Sequence, residues 1–207
     1  MVSQQLEARG IQDERVLRAM RAVPRELFVP TALREFAYED HPLPIGHGAT
    51  ISQPYIVARM AELAQIKPTD RVLEVGAGCG YATAVLAELA AQVHAIEIVP
   101  ELCDCGTTSL HSAGVKEVEI LCRDGSAGLP EHAPFDAIIV WAGAPRIPMA
   151  LAEQLADGGR LVIPAGERDR QYLQVVRRDG DRFQVQRVTP VRFVDLVGRE
   201  GWASRTN

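Results

Sequence analysis

The stretch VLEVGAGCGYATAVL, residues 72–86, decides the fold. Its first apolar run reads as a buried strand and its second, rich in alanine, as a helix. Between them Gly76, Gly78 and Gly80 stand at alternate positions. Glycines in that pattern make a turn tight enough for a ligand to approach the backbone, and the helix that follows offers unpaired N–H groups at its start. The outline is that of a nucleotide pocket.

Downstream the pattern is regular. Strands are predicted at 71–75, 92–98 with Glu97 at its end, 118–122, 135–141 and 160–164, and helices at 81–90, 101–113 and 148–155. Strands alternating with helices give an α/β fold with a parallel sheet and right-handed crossovers. After Gly166, runs at 172–177 and 183–188 flank the polar turn Arg178, Asp179, Gly180, Asp181, so the sheet is expected to finish in an antiparallel hairpin.

Upstream, residues 6–20 carry apolar side chains at helical spacing, broken near Gly10; Pro24 and Pro30 end that region, and 35–47 shows no clear period. Ile56, Met60, Leu63 and Ala64 then share one helical face, with Pro54 in the first turn and Ser52 placed to cap it. Residues 1–66 therefore read as a helical and loop extension of a core at 67–207, the whole forming one domain, with the polar tail 203–207 expected to fray.

Composition narrows the function. The 207 residues carry a net charge of −5, which argues against a partner held through nucleic-acid phosphates. No run reaches the roughly 20 apolar residues that cross a bilayer, and the polar start MVSQQLEARG has no signal-peptide core, so neither membrane nor export is expected. Cys79, Cys103, Cys105 and Cys122 lack zinc-site spacing; two ligands in a C-x-C do not close a metal site, so no metal is expected and the reducing cytoplasm is the expected compartment.

A dinucleotide fingerprint needs a small residue where the helix passes the strand, and here that place falls on Tyr81, which disfavours NAD. Glu97 lies about 20 residues beyond the glycines, where an acid accepts from ribose hydroxyls; the bland reading is a solvated strand end. Asp124 with Gly125 ends the third strand in the same way, placed for the adenine edge. These strand ends converge on one crevice.

The G-x-G-x-G spacing after the strand acid Glu74 resembles motif I of S-adenosylmethionine-dependent methyltransferases with a Rossmann-like fold. More specifically, VPRELFVP (23–30), ATISQPYIVA (49–58), the glycine stretch, DGSAGLP (124–130), PFDAIIVWAGA (134–144), GGRLVIP (158–164) and RFVDLVG (192–198) resemble the protein-L-isoaspartate O-methyltransferase family over nearly the whole chain. The resemblance implies S-adenosyl-L-methionine as methyl donor, S-adenosyl-L-homocysteine as product, and the free carboxylate of isoaspartyl residues in damaged peptides and proteins as acceptor; a monomer is expected, although no sequence feature fixes the oligomeric state. It implies that Ser52 is the active-site serine, that Ala49, Thr50, Ile51 and Ser52 wall the site, that Glu74, Gly76 and Gly78 belong to the donor loop, that Glu97 binds the ribose, and that Asp124 and Gly125 meet the adenine.

The sparse chemical equipment agrees with that reading. A carboxylate with a reference pKa of about 4 is already a nucleophile at neutral pH and needs no general base. The enzyme must supply alignment, and positioning contributes on the order of 7 to 11 kcal/mol. No His-Asp or paired-carboxylate constellation stands out, and His47 is the one histidine near the serine segment. The family implies that the methyl ester then closes to a succinimide without further help. Asp195, Arg123 and the segment LCDCG (102–106) depart from the family pattern and bear on the acceptor lip, the adenine side and the second helix. The rival readings are a methyltransferase of this fold with another acceptor, a catalytically inactive nucleotide-binding module and, last, a dehydrogenase.

Overall fold

A computed structural model describes residues 1–203; residues 204–207 of the tail expected to fray lie outside the described residues. Strand β3 (Arg71–Val75) is the centre of the molecule. It pairs in parallel with β4 (Gln92–Glu97) on one side and β6 (Phe135–Val140) on the other, and Val72, Leu73 and Val75 place apolar side chains on both of its faces, because both are covered. With β5 (Ile120–Cys122), β7 (Leu155–Glu167), β8 (Arg170–Asp179) and β9 (Arg182–Val191) the sheet has the order β5-β4-β3-β6-β7-β8-β9. The first five run parallel, and β8 and β9 close the sheet antiparallel, as the hairpin pattern predicts.

The chain leaves β3 towards one edge and returns to β6 on the other side, so the switch point lies beyond the carboxyl ends of β3 and β6. Ligands of open α/β sheets bind at such a crevice. Gly76, Gly78 and Gly80 take φ of +84°, +56° and +84° there, values in which a side chain is strained. Helix α4 (Pro100–Ser112) approaches this loop through Gly106, where an added Cβ would stand 2.7 Å from Gly78 O and 2.6 Å from Ile120 Cδ1. The glycine that weakens the helix on propensity thus permits the close passage of helix and glycine loop.

The other helices are α1 (Glu14–Ala22), α2 (Pro54–Ala64), α3 (Tyr81–Ala87) and the single turn α5 (Met149–Ala152). One core layer joins α1, α2 and α3 to the sheet, and a second, around Leu73, Ile138, Leu151 and Leu161, covers the opposite face. Tyr81 opens α3 and is 1% exposed; its ring meets Phe28 edge-on at 5.7 Å and lies beneath the Arg25 guanidinium. The position that a dinucleotide fold reserves for a small residue is used here to dock the N-terminal extension on the nucleotide loop.

Several expectations change. Strand 160–164 extends to Leu155–Glu167, because β8 pairs with it as far as Glu167, and the helix expected at 148–155 shrinks to α5. The third strand begins at Ile120 rather than 118, as its partners in β4 run only from Ala95 to Glu97. The segment 35–47 contains β1 (Leu43–Gly46), which pairs with β2 (Ala49–Ile51) around a turn in which Gly46, His47 and Gly48 all have positive φ. Finally, Gln53, not Ser52, occupies the N-cap of α2, and no side chain caps that helix. Pro54 at the helix start removes one of the donors a cap would satisfy.

Candidate active site

Two cavities open at the switch point. The inner chamber is floored by Gly76, Ala77 and Gly78, walled by Ile96–Val99 and Leu102, and closed by residues 49–52 and 194–197. The outer groove runs between Gln53 and Ile56 on one side and Arg168 and residues 190–195 on the other. They meet at Thr50, Ser52, Trp141, Val194, Asp195 and Val197, which line both.

Glu97 ends β4 with its carboxylate in the chamber wall. Its Oε2 accepts from Gly78 N at 2.8 Å, and its Oε1 accepts from Ile98 N and Val99 N at 2.7 and 3.0 Å. A carboxylate has about four acceptor positions, so three backbone donors aim it and leave capacity for a ligand hydroxyl. Gly125 lines the chamber beyond the next strand.

Ser52 is held through its backbone. Arg25, 0% exposed, donates from one terminal nitrogen to Ser52 O at 2.8 Å and from Nε to Ala37 O at 2.7 Å, with its carbon 4.6 Å from the Tyr81 ring centroid. Burial lowers the Arg25 pKa, with Tyr81 and Cys79 acting against that shift. This buried cation joins the extension, the serine loop and α3, and so fixes where Ser52 stands relative to the glycine turn.

Ala49, Thr50, Ile51, Ser52, Gly76, Gly78, Glu97 and Gly125 line the inner chamber; Glu74 and Asp124 do not. Glu74 is 0% exposed, turned into the core, and accepts from Trp141 Nε1 at 2.8 Å. The donor-loop contact expected of its side chain is therefore replaced by a contact with the chamber wall. The Asp124 carboxylate accepts from Ser126 N and Arg199 N, both at 2.8 Å, while Ser126 Oγ accepts from Glu200 N. Burial opposes ionisation of Asp124, but the Arg199 and Ser126 N–H groups outweigh it and hold the carboxyl below its ordinary pKa. Its side chain clamps the segment that follows the chamber wall, and only its neighbour Gly125 faces the cavity.

His47 lines the chamber rim with Nδ1 4.0 Å from Glu101. Arg123 pairs with Glu131 at 2.6 Å and lines neither cavity. Asp195 lines both cavities and pairs with Arg168 Nε at 2.8 Å; that guanidinium lies over the Trp202 ring. Cys79 also lines the chamber, and burial pushes its thiol up to about 12, which leaves it protonated and unreactive at neutral pH. Among the described residues no three His, Cys, Asp or Glu side chains group to hold a metal.

Burial raises the Glu74 pKa to about 7, with the nearby Thr83 hydroxyl and the Trp141 N–H opposing the shift. Between the ordinary value of 4.5 and about 7 the folded protein keeps a proton that the unfolded chain has released. This contribution to stability is therefore present in full below pH 4.5 and is lost as pH rises through 7, by about 3 kcal/mol. His94, lowered mainly by burial and also by His132 and Arg71, acts in the opposite sense on the acid side. Denaturant unfolding of Glu74→Gln beside the parent chain isolates the glutamate: the difference between them should grow from pH 4.5 to 7, and parallel curves would assign Glu74 an ordinary pKa.

The protein-L-isoaspartate(D-aspartate) O-methyltransferase family model matches residues 1–201. The chain belongs to this family. A protein-L-isoaspartate O-methyltransferase of Marinobacter nauticus is 54% identical over 204 residues, 98% of this chain and 93% of that one. Its counterpart in Rhodopseudomonas palustris is 50% identical over 206 residues, 99% of this chain and 84% of the relative. Among solved structures, a protein-L-isoaspartate O-methyltransferase superposes with a TM-score of 0.86 at 28% identity, covering 97% of this chain and 67% of that chain. A Plasmodium falciparum chain of the same family, solved in complex with S-adenosyl-L-homocysteine, superposes at 0.83 and 28% identity over 95% of this chain and 96% of that chain. The fold expected from the glycine stretch, a Rossmann-like methyltransferase sheet with antiparallel C-terminal strands, is the fold of this isoaspartyl methyltransferase family.

Trp141 and Arg25 stand within the longer motifs, where sequence assigns neither a role. An aromatic residue directly after the apolar strand FDAIIV marks the crevice side of β6, and this was the available signal for Trp141. Arg25 carried none, since a buried arginine cannot be told from a surface one by spacing.

Proposed function

We propose that this chain transfers a methyl group from S-adenosyl-L-methionine to the free carboxylate of L-isoaspartyl residues in damaged peptides and proteins, the step that initiates their repair through a succinimide. The observation that carries the reading is Ser52, half-buried and lining both the inner chamber and the outer groove. The chamber suits the donor: a carboxylate aimed by three backbone N–H groups stands between a glycine turn and an apolar slot.

The bound donor supplies a sulfonium methyl group. Glu97 holds the ribose end, Gly76 and Gly78 let the ligand approach the backbone, and Gly125, pressed against Val75 and Ile96, borders the base. Ser52 Oγ–H donates to the acceptor carboxylate and orients it without removing its charge, so the nucleophile stays ionised. Residues 49–52 and 194–197 separate the reacting atoms from bulk water. No residue needs to accept a proton, because the attacking oxygen carries none.

The reading takes isoaspartyl peptides and proteins as the macromolecular substrates of a single-domain monomer acting in the cytoplasm, without nucleic-acid or membrane partners. Among the described residues no helix is long and apolar enough to cross a membrane. Initial rates with labelled donor and paired peptides that differ only in an aspartyl or isoaspartyl residue test it: transfer to the isoaspartyl peptide alone is expected, and equal transfer or none would overturn it. Ser52→Ala should lower kcat by roughly 10-fold or more, as expected for loss of an aligning hydrogen bond. Its affinity for S-adenosyl-L-homocysteine should be nearly unchanged in a calorimetric titration, and an unaltered kcat would remove the serine from the mechanism.

A further inference from the structure

Trp141 stands at the carboxyl end of β6, the strand next to the switch point. Its backbone N–H donates to Val75 O at 2.9 Å, and a Cβ added to Gly76 would stand 3.7 Å from its own Cβ, so its main chain is fixed against the glycine turn. The residue, 7% exposed, lines both the inner chamber and the outer groove. An indole turns about only two χ angles, so one well-placed hydrogen bond sets the plane of the whole ring.

That hydrogen bond runs inward to Glu74. The carboxyl is 0% exposed, Oε1 accepts from Trp141 Nε1 at 2.8 Å, and Oε2 has no hydrogen-bond partner. The Thr83 hydroxyl faces the same carboxyl from α3, and its oxygen also lacks a partner within hydrogen-bonding distance and angle. Leaving a buried carboxyl half-satisfied and without a cation is costly, and an apolar residue of similar volume would pack there at less cost. What the glutamate gives in return is a fixed indole where the two cavities meet.

We propose that Trp141 is the partition between the methyl-donor chamber and the acceptor groove, and that buried Glu74 is a positioning residue that holds the indole in that orientation. The inference rests on the reading of the two cavities as donor and acceptor sites. Ser52 and Trp141, which border both cavities, then share one aperture: the serine orients the attacking carboxylate, and the indole limits the approach available to it. A displaced ring leaves the ribose end of the chamber intact and disturbs the reacting end.

The sequence contains two tryptophans, so Trp202→Phe leaves Trp141 as the single indole emitter, and that variant serves as the reference. Titration with S-adenosyl-L-homocysteine alone and with an isoaspartyl peptide alone should each change its fluorescence, because each ligand borders the ring from its own side. Glu74→Leu should lower kcat by roughly 10-fold, within the loss that a misplaced group produces. Glu74→Gln, whose amide oxygen still accepts from the indole, should recover most of it.

Trp141→Phe keeps an apolar wall without the N–H, and the double variant Glu74→Leu with Trp141→Phe should lose no more than Trp141→Phe alone. Losses that add, a glutamine variant no better than leucine, or emission that ignores the peptide would overturn the inference while wild-type transfer to the isoaspartyl peptide continued. Absence of that transfer in the wild-type chain would overturn the underlying reading instead.

Discussion

Glu97→Ala should weaken S-adenosyl-L-homocysteine binding by about 100-fold, of which a charge-assisted hydrogen bond to a ribose hydroxyl accounts for roughly 1.5 to 3 kcal/mol. The loss has a second source. Glu97 Oε2 is the acceptor for Gly78 N, and Oε1 for Ile98 N and Val99 N, so alanine leaves the glycine turn and the start of the following loop without their common anchor. Glu97→Gln separates the contributions, since its amide oxygen can replace one carboxylate oxygen but not both. Calorimetry on the folded variants checks the prediction; an unaltered dissociation constant would confine Glu97 to holding the loop.

Arg25→Ala should cost about 3 to 5 kcal/mol of folding stability, because truncation leaves a cavity and orphans one buried and one partly buried carbonyl. Those carbonyls belong to Ala37 and Ser52, and the guanidinium also covers the Tyr81 ring, so three separate segments lose one shared support. Turnover should fall even at temperatures where the variant stays folded, since the backbone of Ser52 is no longer fixed. Arg25→Lys should recover little, as a single ammonium cannot reproduce a planar fork reaching two carbonyls. Denaturant unfolding together with kcat reads both effects, and a stable, fully active alanine variant would show that the serine loop is positioned without Arg25.

The parallel core was legible because its signals are periodic and redundant. The apolar run at Val72–Val75, the alternate glycines and the acid at Glu97 each point to the same crevice, and the sheet order places all three at the switch point. What resisted reading was set by tertiary contact. The hairpin at Leu43–Ile51 consists of strands too short, and too interrupted by proline and glycine, to show a period of two. Ser52 has the spacing of a cap, yet its backbone is used by Arg25 and the cap position falls on Gln53.

Glu74 and Asp124 show the same limit at the level of single side chains. Position along a strand end identifies the crevice, but whether a carboxylate faces the ligand or braces the wall depends on partners far along the chain. For Glu74 the partner is Trp141; for Asp124 it is the backbone at Arg199. Tyr81 reverses the lesson: its bulk correctly weighed against a dinucleotide, and the structure gives the positive reason in its packing against Phe28 and Arg25.

The central claim is that the inner chamber is the donor site, the outer groove is the acceptor site, and the two join at Ser52. A crystal structure of the chain with S-adenosyl-L-homocysteine and an isoaspartyl peptide tests it most directly. The account predicts a ribose hydroxyl on Glu97, the peptide in the groove beside Arg168, and its free carboxylate within hydrogen-bonding distance of Ser52 Oγ and directed at the homocysteine sulfur. A peptide carboxylate seated away from Ser52, or a nucleoside outside the Glu97 chamber, would contradict it.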